Sequence, residues 1–365
     1  MRKIRDGILS AAENLKSLFL IIIIGALNAC DVHEWPDEPE KMPLLLNMSY
    51  EKAYVYDTDM TPWEHSFNGN NVVEQCYGEN YEHRLESGIK RYVIRAYPVS
   101  EKLRASQGNV QEFVYERDLY HGYEHEVLLD LQPGVYDLMV WSDMRPHSRA
   151  DYFYNVENFS EIKLQGEHKG NNDWRDAFRG ITRITIEPTI EEREPMTIEV
   201  DMQRPLAKYE FLTTDLKAFM DKEFEYLTKE AATRGEAPPT RVNTDDYKVV
   251  IYYSGFMPNT YNMKTDKPVD STLGVMFESQ LTVLNENEAT LGFDYVFVNG
   301  KKSAVTVQIG LYDKDGRQVS LSDPINVPLQ RDHHTIVRGS FLMSQASGGI
   351  TINPDFEGNH NIVID

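Results

Sequence analysis

The chain has 365 residues, and its 58 Asp and Glu residues outnumber 37 Lys and Arg residues, which gives a net charge of −21 at pH 7. This excess of negative charge argues against nucleic acid or an anionic lipid surface as a partner, because both require a basic footprint. The length is sufficient for two domains of about 150 residues each.

The first element along the chain is an apolar run, residues 18–27, which is followed by Asn28, Ala29 and Cys30. As a helix this run would span roughly 15 Å, about half of a bilayer's hydrocarbon core. Basic residues precede it, so the pattern predicts a signal peptide rather than a membrane-spanning helix. Small residues leading to a cysteine are typical of a bacterial lipobox. We therefore expect residues 1–29 to be removed and Cys30 to carry the lipid.

Two other interpretations of this segment stay open, namely a plain secretory signal with a chance cysteine and an uncleaved anchor. In the lipoprotein interpretation, two or more acyl chains, such as palmitate, make the attachment to the outer membrane effectively stable.

Residues 30–43 then form a tether with five acidic residues and three prolines. Such a composition favours an extended, solvated spacer. It resembles the export signal of surface-exposed lipoproteins in Bacteroides-type bacteria, although an ordinary linker has the same composition.

The rest of the chain is predicted to be rich in β-strands. Apolar and polar residues alternate with a period of two in residues 196–201. The same spacing predicts that two further sets each share one face of a strand: Leu291, Phe293, Tyr295 and Phe297, and Val305, Val307, Ile309 and Leu311. This period is typical of half-buried strands in antiparallel sheets. Dipeptides typical of turns lie between the predicted strands: Pro133-Gly134, Asn299-Gly300 and Asp315-Gly316.

One segment has a helical period instead, from Thr214 to about Thr233. Its apolar face is predicted to consist of Leu216, Phe219, Met220, Phe224 and Leu227. Thr214 is the expected N-cap and Gly235 the expected stop. We interpret this helix as packed on the core, with binding of a partner as the alternative.

A boundary is expected near residues 203–205, where one group of strands ends and another begins. The fold class predicted from these patterns is all-β, with two tandem β-sandwich domains, residues 44–203 and 204–365, and one amphipathic helix in the second.

Motifs for catalysis are absent from the sequence, including the nucleophile elbow, the zinc-protease helix and the phosphate-binding loop. His333-His334 and the group around His121 and Glu126 are weak candidates for a metal site. Asp313-Lys314-Asp315-Gly316 resembles the opening of a calcium loop, but residue 324 is Pro where the loop requires Glu. We therefore predict a protein that is not an enzyme and that requires no metal or other cofactor.

The cluster at residues 170–180 is the most unusual local motif. The structural interpretation is a turn bracketed by Asp173 and Asp176, in which Arg175 satisfies both carboxylates while Trp174 and Phe178 pack into the sandwich. The catalytic alternative requires an Arg–Asp pair in a cleft. The 21 tyrosines also leave open a glycan-binding surface, which would show exposed aromatic rings flanked by carboxylates.

Several segments in this order resemble the fimbrillin-associated anchor and accessory lipoproteins of Bacteroides-type type V pili. The resemblance covers nearly all of the chain after the lipobox. It is carried by five stretches: Cys30–Pro36, Leu131–Tyr136 running into Trp141–Asp143, Asp173–Phe178, Arg204–Phe211 and Gly349–Gly358.

This resemblance implies two transthyretin-like β-sandwich domains and a role at the cell-surface end of a fimbrium, with fimbrial subunits as partners. Stalk subunits of that family are cleaved to free a groove for a strand of the next subunit, whereas an anchor keeps its lipid and its first strand. The candidate first strand here is Leu44–Tyr50, with Leu44, Leu46 and Met48 as its candidate residues for strand exchange or an interface. The candidate donor or pairing element is the C-terminal hairpin Gly349–Asp365, whose candidate residues for strand exchange or an interface are Ile350, Ile352, Ile362 and Ile364. The alternative function is a glycan-binding surface lipoprotein in nutrient capture.

Overall fold

A computed structural model describes residues 40–50, 66–67, 71–77, 87–119, 126–188, 194–299, 302–331 and 333–344. The described residues form 22 strands and two α-helices, so the predicted all-β class is confirmed. None of the helices in this described part is both long and apolar enough to span a bilayer.

The strands of the first half are β1 (Met42–Tyr50), β2 (Ser66–Phe67), β3 (Asn71–Tyr77), β4 (Gly88–Pro98), β5 (Gln111–Asp118), β6 (Glu126–Leu131), β7 (Gly134–Pro146), β8 (Tyr154–Asn155), β9 (Ile162–Leu164), β10 (Ala177–Ile186) and β11 (Met196–Met202). Helix α1 (Glu101–Gln107) lies between β4 and β5, and a short 3-10 helix (Asp173–Arg175) precedes β10.

The strands of the second half are β12 (Leu206–Thr213), β13 (Tyr247–Tyr253), β14 (Met257–Asn262), β15 (Lys267–Thr272), β16 (Met276–Gln280), β17 (Thr282–Val283), β18 (Ala289–Phe297), β19 (Lys302–Asp313), β20 (Gln318–Leu321), β21 (Ile325–Gln330) and β22 (His333–Gly339). Helix α2 (Leu216–Arg234) follows β12, and a second 3-10 helix (Thr244–Asp246) precedes β13.

Two sheets enclose the core of the first half. One has the strand order β11-β1-β6 and the other has the order β10-β7-β4-β5. The inward side chains of both sheets form one buried cluster, because the apolar residues that each strand contributes lie an even number of positions apart and so share one face. Its largest fully buried members are Tyr92 and Tyr136.

Two further sheets enclose the core of the second half. Their orders are β17-β18-β12-β22-β3-β2 and β16-β13-β19-β20, with β21 also paired to β19. Val305, Val307, Ile309 and Leu311 are all buried in this core, so the predicted shared face of β19 is confirmed.

Some sheets combine strands from both sides of the predicted boundary at residues 203–205. Strand β3 pairs with β22, and β9 pairs with β14. A third buried cluster also joins the halves, with the rings of Tyr261 and Phe297 stacked at 5.3 Å beside Tyr154. The sheets therefore do not divide between residues 203 and 204. The predicted domain boundary there stays a prediction.

The predicted single face for residues 291–297 is wrong. Leu291 packs in the core of the second half, whereas Phe293, Tyr295 and Phe297 pack with the third cluster. The cause is a β-bulge, because Phe211 is opposite Gly292 while Leu212 is opposite Thr290, which leaves one extra residue on β18. An extra residue reverses the face of every side chain after it.

Helix α2 begins one residue later than the predicted N-cap implies. Asp215, not Thr214, is the N-cap residue, and Gly235 ends the helix in the left-handed conformation as expected. Leu216 and Phe219 are buried as predicted, but Phe224 is 40% exposed and Glu223 is buried in its place. Helix α1 was not predicted, although Ser100 is a standard N-cap whose side chain accepts a hydrogen bond from the Leu103 backbone.

Candidate functional site

Strand β1 is the candidate functional element, and its backbone is paired on both sides. It runs parallel to β11, from Leu44 opposite Met196 to Tyr50 opposite Met202. On its other side it runs antiparallel to β6, with Met42 opposite Leu131. The predicted first strand is therefore the central strand of a three-stranded sheet.

The two faces of β1 have opposite character. Leu44, Leu46 and Met48 point into the core and are 0%, 0% and 1% exposed. On the outer face, the Asn47 side-chain amide donates to Glu199 Oε1 at 2.9 Å, and the Ser49 hydroxyl donates to Asp201 Oδ1 at 2.9 Å. This alternation sets the register, because a slip of one residue would bury the polar side chains.

Removal of β1 would open a groove in the sheet. The sides of β6 and β11 that face β1 would lose their hydrogen-bonding partners, and the apolar core beneath the strand would meet water. Each large aliphatic side chain contributes about 1.5–3 kcal/mol through burial. A β-strand with the same alternation is the chemical species that fits this groove, by pairing at two edges while filling the same pockets.

The remaining predicted elements of strand exchange lie outside the described residues. These are Cys30 with its tether, and the C-terminal hairpin with Ile350, Ile352, Ile362 and Ile364. The chain is held just before that hairpin, because the Asp215 carboxylate accepts hydrogen bonds from the backbone of Leu342 at 3.3 Å and of Met343 at 2.9 Å.

In the motif at residues 173–178, the predicted role of Arg175 is wrong. Its guanidinium does not satisfy the two flanking carboxylates; it is buried and forms an ion pair with Asp294, and it also donates to the carbonyl of Tyr295 at 3.0 Å. The side chain of Asn172 caps the 3-10 helix by accepting from the Trp174 backbone. This geometry points the guanidinium toward β18 rather than along its own turn.

The two flanking carboxylates bind cations of the second half instead. Asp173 accepts from Lys208 Nζ at 3.1 Å and from the Tyr295 hydroxyl at 3.0 Å. Asp176 accepts from Arg204 Nε at 2.9 Å. Together with Arg175, the motif therefore makes three ion pairs across the predicted boundary.

The two aromatic residues of the motif differ in burial. Phe178 is 3% exposed, and its ring meets that of Tyr50 edge to face at 4.8 Å, which confirms its predicted packing. Trp174 is half-buried, with its ring against Gly88. A Cβ atom at Gly88 would lie 2.3 Å from that ring, so this position requires glycine.

The sequence reasoning missed His168 and Asp294. His168 Nε2 lies 2.7 Å from Asp294 Oδ2, and the Tyr253 hydroxyl donates to the same oxygen at 2.6 Å. Burial raises the pKa of Asp294, but the charges of Arg175 and His168 lower it by more. The pKa of Asp294 therefore lies below its ordinary value. The available sequence signal for this site was Asp294 itself, a charged residue within the otherwise apolar stretch 291–298.

The predicted metal candidates do not converge. Within the ranges that the structure describes, no group of three His, Cys, Asp or Glu side chains is placed to hold a metal ion. His333 and His334 are successive residues of β22, and His121 lies outside the described ranges. Asp313 to Gly316 form the hairpin turn predicted as the alternative to a calcium loop, because Asp313 Oδ1 accepts from the backbones of Asp315 and Arg317 at 3.0 and 2.8 Å.

Residues 64–365 match the family of unknown function DUF6562. The chain belongs to this family. The match spans the 173–178 motif and the whole second half, whereas β1 precedes it. No curated protein matches this DUF6562 chain.

Several solved structures resemble the DUF6562 chain. The fimbrial anchor protein Mfa2 from Porphyromonas gingivalis is 12% identical, with a TM-score of 0.38 over 77% of this chain and 81% of that one. A "putative cell adhesion protein" from Bacteroides ovatus is 10% identical, with a TM-score of 0.43 over 86% and 99%. The "putative polysaccharide binding proteins (DUF1812)" structure from Bacteroides thetaiotaomicron is 12% identical, with a TM-score of 0.39 over 77% and 79%. The TM-scores of these structural matches are low, so membership of DUF6562 rests on the sequence match.

Proposed function

We propose that this protein is a surface lipoprotein that anchors or caps a fimbria-like polymer through β-strand contacts, without catalysis. The observation that supports the proposal best is the placement of β1. Its three inward side chains are fully buried in the core and its backbone lies between β6 and β11, so the chain fills its own groove. A subunit with a filled groove accepts no strand there and therefore ends a polymer that grows by strand addition.

The lipid anchor is the second part of the proposal. Cys30 precedes Met42 by twelve residues, which reach roughly 40 Å when fully extended. A lipid on Cys30 therefore holds β1, and with it the first sandwich, within that distance of the outer membrane. The partner would bind elsewhere, and the C-terminal hairpin Gly349–Asp365 is the proposed pairing element.

The test is a cell fractionation with electron microscopy of native cells that carry Cys30→Ala. We expect the variant protein to appear in the medium together with long, detached fibres. Cys76→Ala is the matched control, because it removes the other cysteine and leaves the anchor intact. Release of the protein alone, with surface fibres unchanged, would refute the anchor function. Retention of the Cys30→Ala protein in the membrane fraction would refute the lipid anchor.

A further inference from the structure

A groove of about 1030 Å³ is lined mainly by residues of the second half and by no residue of β1. Residues of β13, β16, β18 and the end of β19 line it. Sites for small molecules and cofactors typically measure about 300–1,000 Å³. The groove is therefore large enough for a small-molecule ligand or a short oligomer. None of the ion pairs of the 173–178 motif occupies it.

Two half-buried tyrosines, Tyr252 and Tyr312, line this groove and are called its aromatic platform below. The hydroxyls of Tyr252 and Tyr312 lie 2.9 Å apart, and the Tyr312 hydroxyl donates to Gln318 Oε1 at 3.2 Å. Both rings lie over Gly310, where a Cβ atom would come within 2.9 Å of the Tyr312 ring and 3.2 Å of the Tyr252 ring. The glycine thus makes room for the rings, and the hydrogen bonds fix their positions.

Polar groups surround this platform. Lys248 and Glu278 form an ion pair at 2.7 Å, with side chains 47% and 62% exposed. Asn171 also lines the groove, and its amide donates to Ser279 Oγ at 2.6 Å and accepts from the Phe293 backbone at 2.7 Å. The groove therefore presents hydrogen-bond donors and acceptors beside aromatic surface.

The charges in the groove restrict the class of ligand. Five acidic residues line it, against the two lysines Lys248 and Lys314; the acidic residues are Glu210, Asp245, Asp246, Glu278 and Asp313. An anionic ligand would be repelled by this excess. A lipid chain would leave the polar groups without partners.

We infer that this groove binds a neutral oligosaccharide. The C–H faces of a sugar ring pack on tyrosine rings, while its hydroxyls donate to carboxylates and accept from amides and lysine. Neutral sugars satisfy both kinds of surface without adding negative charge. This binding activity is independent of β1 and adds a carbohydrate-recognition role to the proposed anchor.

The test is affinity electrophoresis of the full chain carrying Cys30→Ala, in native gels that contain barley β-glucan, yeast mannan or heparin. We expect at least one of the two neutral polysaccharides to retard the protein, and heparin to have no effect. Tyr252→Ala and Tyr312→Ala should each weaken the retardation about tenfold. Phe256→Ala is the matched control, because Phe256 is 64% exposed and does not line the groove.

Circular dichroism of each variant separates loss of binding from loss of folding. If the tyrosine variants unfold, Glu278→Ala tests the same groove from its exposed rim and should also weaken the retardation. The inference is overturned if neither neutral polysaccharide retards the protein, if heparin retards it equally, or if folded groove variants bind like the parent.

Discussion

The placement of β1 predicts that truncation of two neighbouring leucines, Leu45 and Leu46, has very different effects on the stability of the protein. Leu46 is 0% exposed in the core between the two sheets of the first half, whereas Leu45 lies on the outer face and is half-buried. Truncation of a buried leucine to alanine loses its transfer free energy and leaves a cavity, at a cost of about 2–5 kcal/mol. We therefore expect Leu46→Ala to lower the free energy of unfolding by about 3 kcal/mol and Leu45→Ala by less than about 1 kcal/mol.

Thermal unfolding followed by circular dichroism measures this difference. For a unit of about 150–250 residues, 1 kcal/mol shifts the midpoint by roughly 2–4 °C, so Leu46→Ala should lower it by roughly 6–12 °C. Protease release of the strand should follow the same order, with Leu46→Ala cut fastest. Equal midpoints for the two variants would refute the placement of β1 as a core strand, and with it the argument that the groove is filled.

Three other outcomes follow from buried groups. Arg175→Met should cost about 3–5 kcal/mol in chemical denaturation, because it leaves Asp294 buried without its main partner, and Arg175→Met combined with Asp294→Leu should cost less than the single change. The lowered pKa of Asp294 means that its ionised form stabilises the protein above about pH 4 and that this stabilisation is lost as pH falls through the folded-state pKa. The stability gap between the parent and Asp294→Asn should therefore shrink in denaturation curves between pH 5 and pH 2.5. In helix α2, Phe219→Ala should lower the free energy of unfolding by about 3–5 kcal/mol, because Phe219 is buried. Phe224→Ala should change it by less than about 1 kcal/mol, because Phe224 is 40% exposed, and thermal unfolding measures both.

The sequence was sufficient for the strands whose two faces differ in polarity. Residues 196–201 and 305–311 alternate without interruption, and the structure contains β11 and the core face of β19 there. Gly235 ended the helix as expected, because the left-handed conformation at that position favours glycine. These features depend on local chemistry, so a single sequence reports them.

The face of β18 required information that alternation does not contain. Its bulge at Leu291 is defined by pairing with Phe211 and Leu212, about 80 residues earlier in the chain. Gly292 adopts φ +148 beside the extra residue, a conformation that other residues rarely adopt. The glycine was the only local sign of the irregularity, and on its own it is equally typical of a turn.

Glu223 and Arg175 illustrate the same limit for buried charges. Helical spacing placed Phe224 inside, since it is the more apolar of two neighbours, yet Glu223 is 2% exposed. The reason is a pair of distant partners: the Glu223 carboxylate accepts from the Tyr247 hydroxyl at 3.1 Å and from Arg317 at 2.7 Å. Burial of a charge is tolerated only where such partners are already in place. The orientation of α2 is therefore set by β13 and by the turn after β19, just as the direction of Arg175 is set by Asp294 on β18.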